Sequence, residues 1–273
     1  MPRRLSELAT VDIDTSKPHT ARMYDWYLGG KDNYDVDREH AARVERVFPS
    51  VGVAARVNRG FMHRATRFLV EQGVRQFLDI GTGIPTEPNL HQVAQTDAPE
   101  SRVVYVDNDP TVLAHARALL ASSTEGRTAY VDADVTTPQA ILDAPDLRRT
   151  LDLTRPVAVS LIALLHFIPD SQRPAQILAA LMDAVPSGSY LVLSHATRDF
   201  DPDTFARIAQ IYADGGIAAQ FRSRAEFSAF FTGLELVAPG VEVPHRWQPE
   251  ATNIEGDNLD ARVSFYAGVA RKS

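Results

Sequence analysis

The sequence has no cysteine. Disulfides, thiolate metal ligands and a cysteine nucleophile are excluded together. The absence suits a reducing compartment, and a cytoplasmic location is expected. Long apolar runs are missing as well. The longest, Val157 to Leu165, falls far short of the ~20 residues that carry a helix across a bilayer, so no membrane association is expected. The opening segment MPRRLSELATVDIDTS has arginines but no apolar stretch after them, unlike a secretory signal. Positive charge is scarce: 28 Lys and Arg stand against 35 Asp and Glu. Duplex nucleic-acid binders carry a basic footprint, so nucleic acid is not an expected partner. Neither a G-x-S-x-G elbow nor a G-x-x-x-x-G-K phosphate loop occurs. Asp199, Asp201 and Asp203 alternate like a calcium loop, but Thr204 replaces the required glycine and Gln210 the bidentate glutamate. A capped helix start explains them better, and no metal is expected.

What is present is an alternating α/β pattern. Residues 1–20 are polar and aperiodic, a loose arm. Residues 21–73 read as a helical extension and 74–273 as the core of one domain. Short apolar runs between turn residues mark strands at Gln76–Ile80, Val103–Val106, Thr128–Val131, Val157–Ile162, Tyr190–Ser194, Leu234–Val237 and Val263–Val269. Helical patterns separate the first five, which indicates a mostly parallel sheet with helices on both faces. Asp109-Pro110 starts a helix over 110–121. Ser223 with Glu226 forms a capping box ahead of a helix over 224–231. The last two strands, joined by a polar loop, should form an antiparallel pair at a sheet edge.

The densest signal is FLDIGTG, residues 77–83. A strand runs into Gly81-Thr82-Gly83, and a helix is expected near Thr86. Glycines allow a tight turn and close approach of a ligand, and ligands of open α/β sheets bind beyond the carboxyl ends of the strands. A dinucleotide fingerprint needs a third glycine where Thr86 stands, and Pro85 and Pro88 disturb a regular helix start. A nicotinamide-type oxidoreductase is therefore disfavoured. Acidic residues recur at strand ends: Asp79 before the glycines, Asp107 after the second strand, Asp134 after the third. A carboxylate at Asp107 can accept from both ribose hydroxyls, and one at Asp134 from an adenine amino group. Each alone could be a cap or a strand terminus; together they point to a nucleoside-containing cofactor.

Five segments, ARMYDWYLGGKDNYDVDRE (21–39), FLDIGTGIPTEPNLHQVAQ (77–95), VVYVDNDPTVLAHARALL (103–120), VSLIALLHFIPD (159–170) and SYLVLSHAT (189–197), resemble a bacterial family of S-adenosyl methyltransferases, formerly a domain of unknown function. The resemblance implies a Rossmann-like class I methyltransferase fold with a seven-stranded sheet and S-adenosyl-L-methionine as cofactor. It places Asp79, Gly81, Thr82 and Gly83 in the first cofactor motif. Asp107 would take the ribose and Asp134 the adenine, with Asn108 and Val135 also in the cofactor set. Glu87-Pro88 departs from the pair expected before Asn89. The methyl acceptor is expected to be a small molecule, with a non-catalytic cofactor-binding protein as the alternative.

Residues 21–34 read either as a lid over the cofactor or as a plain helix–turn–helix element. As a lid, Tyr24 would cover the cofactor, Gly29-Gly30 would form the hinge, and Asp32 or Asn33 would meet the methionine end. The family resemblance favours the lid and adds Tyr24, Gly30, Asp32 and Asn33 to the cofactor set. Arg56, Arg59, His63 and Arg67 share one face of the following helix, most simply a solvated face. His166 and His195 follow the fourth and fifth strands. Either could act as a base, and His166 is the better candidate catalytic residue.

Overall fold

A computed structural model describes residues 14–119, 122–249 and 258–273. The chain runs α1 (Thr20–Tyr27), α2 (Asp35–Val47), α3 (Val51–Glu71), β1 (Gln76–Ile80), α4 (Leu90–Asp97), β2 (Arg102–Asp107) and α5 (Pro110–Leu119). It continues β3 (Arg127–Asp132), α6 (Pro138–Asp143), α7 (Pro145–Thr150), β4 (Ala158–Ile162), α8 (Pro174–Asp183) and β5 (Tyr190–Ala196). It ends with α9 (Pro202–Asp214), α10 (Arg224–Ser228), β6 (Glu235–Leu236), α11 (Leu259–Val263) and β7 (Phe265–Arg271). Most of the expected loose arm, and residues 120–121 of the expected helix over 110–121, lie outside the described residues.

The strands form a seven-stranded sheet in the order β3-β2-β1-β4-β5-β7-β6. β1 to β5 are parallel, and β7 runs antiparallel between β5 and β6. The pleat sorts each strand's side chains between two cores, as a period of two requires. Leu78, Ile80, Val104, Val106, Val159, Leu161, Leu191 and Leu193 face one core. Phe77, Val103, Tyr105, Ala158, Val192 and Val269 face the other. α3 joins both: Ala54, Ala55 and Val57 pack in the first, Phe61, Ala65 and Leu69 in the second.

Three expectations shift. The helix expected near Thr86 begins at Leu90 instead. Pro85 and Pro88 break the segment, and Gln92 Oε1 accepts the Asn89 N–H at 2.6 Å to start the helix there. The strand expected from Val263 begins at Phe265, because Leu259–Val263 makes a helical turn ending at Ser264, whose φ is +46°. The helix expected over 224–231 is α-helical only to Ser228 and continues as a 3-10 turn. Its capping box is present: Ser223 donates its N–H to Glu226 Oε2 at 2.7 Å. Asp109 caps α5, accepting the Thr111 N–H at 2.8 Å, and Asp201 caps α9, accepting the Thr204 N–H at 3.0 Å. Among the described residues no helix is long and apolar enough to cross a membrane.

Candidate functional site

Parallel strands that end side by side leave their following loops around one crevice. Here that crevice is a cavity of roughly 350 Å³. Its floor is built from Asp79 to Gly83 at the end of β1, Asp107 and Asn108 at the end of β2, Ala133 to Thr136 after β3, and Ile162 to Leu164 at the end of β4. Of the residues expected at the cofactor, Asp79, Gly81, Thr82, Gly83, Asp107, Asn108, Asp134, Val135 and Tyr24 line this cavity.

The glycine turn has a steric cause. Gly81 and Gly83 have φ of +73° and +67°, where a side chain is strained. A Cβ on Gly81 would also stand 2.8 Å from Leu164 Cδ1, whereas one on Gly83 would meet nothing within 4 Å. Gly83 thus leaves open space at the cavity wall. The turn is anchored below: Gly81 and Thr82 donate their N–H groups to Val106 O at 2.8 and 3.2 Å.

Three carboxylates surround the turn, each held differently. Asp79 accepts from Ser160 Oγ at 2.9 Å, and its burial raises the carboxyl to about 6. Asp107 accepts the Gly83 N–H at 2.8 Å and the Asp109 N–H at 3.0 Å, one on each oxygen; burial raises it above its usual range. Asp134 accepts from Thr136 N at 2.8 Å and Oγ1 at 2.7 Å and from Asn108 Nδ2 at 3.0 Å. Its partial burial opposes ionisation, but these hydrogen bonds outweigh that and lower its pKa.

Arg59 enters the same end of the cavity from α3. Its guanidinium donates to the carbonyls of Thr86 and Pro88, the latter at 2.9 Å. Desolvation lowers its pKa, with Asp79 among the charges that oppose the shift. The sequence shows the cationic stripe on α3 but not which member turns inward. Arg56 is exposed, while Arg59 alone of Arg56, Arg59, His63 and Arg67 lines the cavity.

α1 roofs the cavity through His19, Thr20, Ala21, Tyr24 and Tyr27. Tyr24 Oη donates to Ala55 O at 3.1 Å and accepts from Asn58 Nδ2 at 3.1 Å, which ties the roof to α3. His19 Nδ1 lies 3.0 Å from Asp109 Oδ2. Gly30, Asp32 and Asn33 are not among the lining residues. Their loop closes instead on Asp25, whose Oδ2 accepts Asp32 N–H at 2.9 Å and Asn33 Nδ2 at 2.7 Å. Gly30 is sterically required there, since a Cβ would fall 1.9 Å from Asp25 Oδ1. The Asp32 carboxylate points to His115 on α5, 3.8 Å away.

Of the two histidines, only His166 lines the cavity. Its Nδ1 faces the Ala196 N–H at 3.4 Å. It packs among Phe167, Phe221 and Phe265. Burial, then the neighbouring His195 and Arg222, push its pKa well below the usual histidine value. His195 is saturated: Nδ1 meets Ala196 O at 2.6 Å and Nε2 meets Arg222 Nη1 at 3.0 Å. Burial lowers it to about 3.

The family model for S-adenosyl methyltransferases matches residues 6–273. A DUF574 family protein from Streptomyces avermitilis MA-4680 is 51% identical and superposes with a TM-score of 0.93, covering 96% of this chain and 100% of its own. A candidate methyltransferase from Thermobifida fusca YX is 39% identical with a TM-score of 0.87, covering 95% and 97%. The plantazolicin methyltransferase BpumL, solved with S-adenosylhomocysteine, shares the fold alone, at 11% identity and a TM-score of 0.50 over 93% of this chain and 95% of its own. No curated protein matches the sequence. The chain belongs to the S-adenosyl methyltransferase family, a class I methyltransferase using S-adenosyl-L-methionine.

Proposed function

We propose that this member of the S-adenosyl methyltransferase family methylates a small molecule held in the same cavity as its cofactor, and that Asp79, Arg59, Asp107 and Asp134 bind the cofactor. One observation carries the reading. The carboxylate-lined turn and an apolar compartment are continuous within a single cavity, as methyl transfer between two bound molecules requires.

The donor set fits the cofactor. Asp107 and Asp134 offer acceptors to ribose hydroxyls and an adenine amino group, and the open space at Gly83 leaves room for a ligand against the backbone. Asp79 and Arg59 present opposite charges suited to the ammonium and carboxylate of an amino acid. A pyrophosphate is poorly served: Ile84 to Asn89 separate the glycine turn from the start of α4, so the helix N-terminus does not stand behind the glycines.

When bound, S-adenosyl-L-methionine supplies an electrophilic methyl group on a sulfonium sulfur. The chain's own part is positioning, which alone can lower a barrier substantially. His195 has no free lone pair, and His166 is a weak base with Nδ1 engaged. Its remaining role is to orient an acceptor through Nε2.

Calorimetry on purified protein tests the assignment. S-adenosylhomocysteine should bind, and Asp107→Ala should weaken it by about 1–3 kcal/mol in a protein that still folds. Unchanged affinity in the folded variant would reduce Asp107 to a support for the Gly83 and Asp109 amides.

A further inference from the structure

We infer that the half of the cavity away from β1–β3 is a compartment for a neutral, largely apolar small molecule bearing one hydroxyl, recognised by Tyr27 and Tyr212. This rests on the reading of the cavity as a methyl-transfer site, and the experiment below separates the two.

The wall of this half is built from four parts of the chain. α2 supplies Val44, the residue that caps it Phe48, and the start of α3 Val51; α9 supplies Phe205 and Ile208, and Phe221 follows α9. The rings form a continuous surface: Phe48 lies 5.5 Å from Phe205, and Phe205 4.9 Å from Phe221. Phe167 meets Tyr212 at 5.2 Å. Such a wall favours an apolar, ring-bearing occupant.

Charge excludes the ionic alternatives. Among the described residues, the Asp, Glu, Lys and Arg side chains lining the cavity are Arg59, Asp79, Asp107 and Asp134. All of them belong to the cofactor end. Glu45 lies near Tyr27 but is exposed and does not line the cavity. An anion or an ammonium would enter this half without a counter-charge, which is costly away from water.

Besides His166, whose Nε2 is given the acceptor above, the neutral polar groups of this half include two tyrosine hydroxyls. Tyr27 lines the cavity and is only 8% exposed, and among the described residues its Oη makes no hydrogen bond of good geometry, its polar neighbour being the Tyr212 hydroxyl. The Tyr212 hydroxyl interacts with it, and Tyr212 also lines the cavity. Burial holds both phenols protonated, Tyr212 up to about 12. Buried hydroxyls are normally fully paired, and two phenols that meet only each other keep a donor and acceptors unused, so this corner of the cavity wall is where a ligand's oxygen docks. Two neutral phenols can each donate and accept, which matches a hydroxyl better than any ion.

The test uses the full chain saturated with S-adenosylhomocysteine and four matched probes: 4-propylphenol, propylbenzene, 4-propylbenzoate and 4-propylbenzylamine. Ligand-observed NMR titrations should show the phenol binding about fivefold more tightly than the hydrocarbon, the worth of one net hydrogen bond. Both charged probes should bind at least about tenfold more weakly than the phenol. Tyr27→Phe should bring the phenol to the hydrocarbon's affinity and leave the hydrocarbon and S-adenosylhomocysteine unchanged. If Tyr27→Phe does not fold, Ile208→Trp, which fills the compartment from α9, should abolish phenol binding and spare S-adenosylhomocysteine. The inference is overturned by a charged probe matching the phenol, by a phenol preference that survives in Tyr27→Phe, or by no probe binding to a chain that binds S-adenosylhomocysteine. A phenol preference in a chain that does not bind S-adenosylhomocysteine would instead support the compartment and overturn the methyl-transfer reading.

Discussion

Asp79 shows how far one residue's environment can be turned into a measurable consequence. Its carboxyl is raised from 3.8 to about 6, first by burial, with Ser160, Thr82 and Arg59 opposing and Asp107 adding to the shift. A raised acid binds its proton more tightly in the folded chain than in the unfolded one. Its contribution to stability is therefore complete below pH ~4 and is lost as pH rises through ~6, an effect of up to about 3 kcal/mol at 1.36 kcal/mol per unit. In unliganded protein, urea unfolding at pH 5 and pH 7.5 should reveal this term by its disappearance in Asp79→Asn. The same proton competes with a bound ammonium. S-adenosylhomocysteine affinity should rise as pH passes from about 5 to 7 and then level, with proton release visible in buffers of different ionisation enthalpy. A flat affinity profile would show that Asp79 does not meet the ligand's cation. The sequence displays Asp79 plainly, as an acid before two glycines. It cannot display Arg59's role, because a cation on a helix face looks alike whether it meets water or a cavity.

At the scale of the element, the β1–α4 connection separates two kinds of glycine. Both take positive φ, so Ala at either position carries left-handed strain of about 1–2 kcal/mol. At Gly81 a methyl group also meets Leu164, and packing must yield as well. Gly81→Ala should therefore lower the melting temperature more than Gly83→Ala. Gly83→Ala, projecting into open space, should act chiefly on S-adenosylhomocysteine affinity. Equal losses of stability with intact affinity in both would mean that the turn is structural only. The spacing of this motif was legible because glycine's steric freedom is a local property. Where the helix resumes was not, since the prolines announce a break without saying how long it lasts. The GGKDN loop misleads in a similar way: its polarity suggests a ligand, but the buried acceptor that explains it is Asp25, a few residues upstream.

For the whole molecule, the parallel strands could be read directly because strands buried on both faces leave continuous apolar runs. The edge was less legible: β6 is a two-residue strand with both residues exposed, and β7 starts only after a helical turn. The distal compartment was invisible in sequence, since its residues come from segments far apart in the chain. The same reasoning bears on the helical extension. A lid should detach without harm to the sheet, but α1 is not packed like a lid. Met23 is 1% exposed and Tyr27 8%, and burying two such side chains stabilises a fold by about 3–6 kcal/mol. Arg22 reaches two buried acids at once, Asp37 at 3.3 Å and Asp109 at 3.8 Å. Asp37 also accepts the backbone N–H groups of His19 and Tyr34 at 2.8 and 2.9 Å. Removing α1 would strand both carboxylates as well as open the apolar core. Against a total stability of about 5–15 kcal/mol, that loss is global. A chain beginning at residue 35 should therefore show a lower urea midpoint and weakened near-ultraviolet circular dichroism even without ligand. Should the shortened chain keep its full midpoint and lose only S-adenosylhomocysteine binding, α1 would be a detachable lid after all, and the buried Arg22–Asp37–Asp109 contacts would contribute little to holding the sheet together.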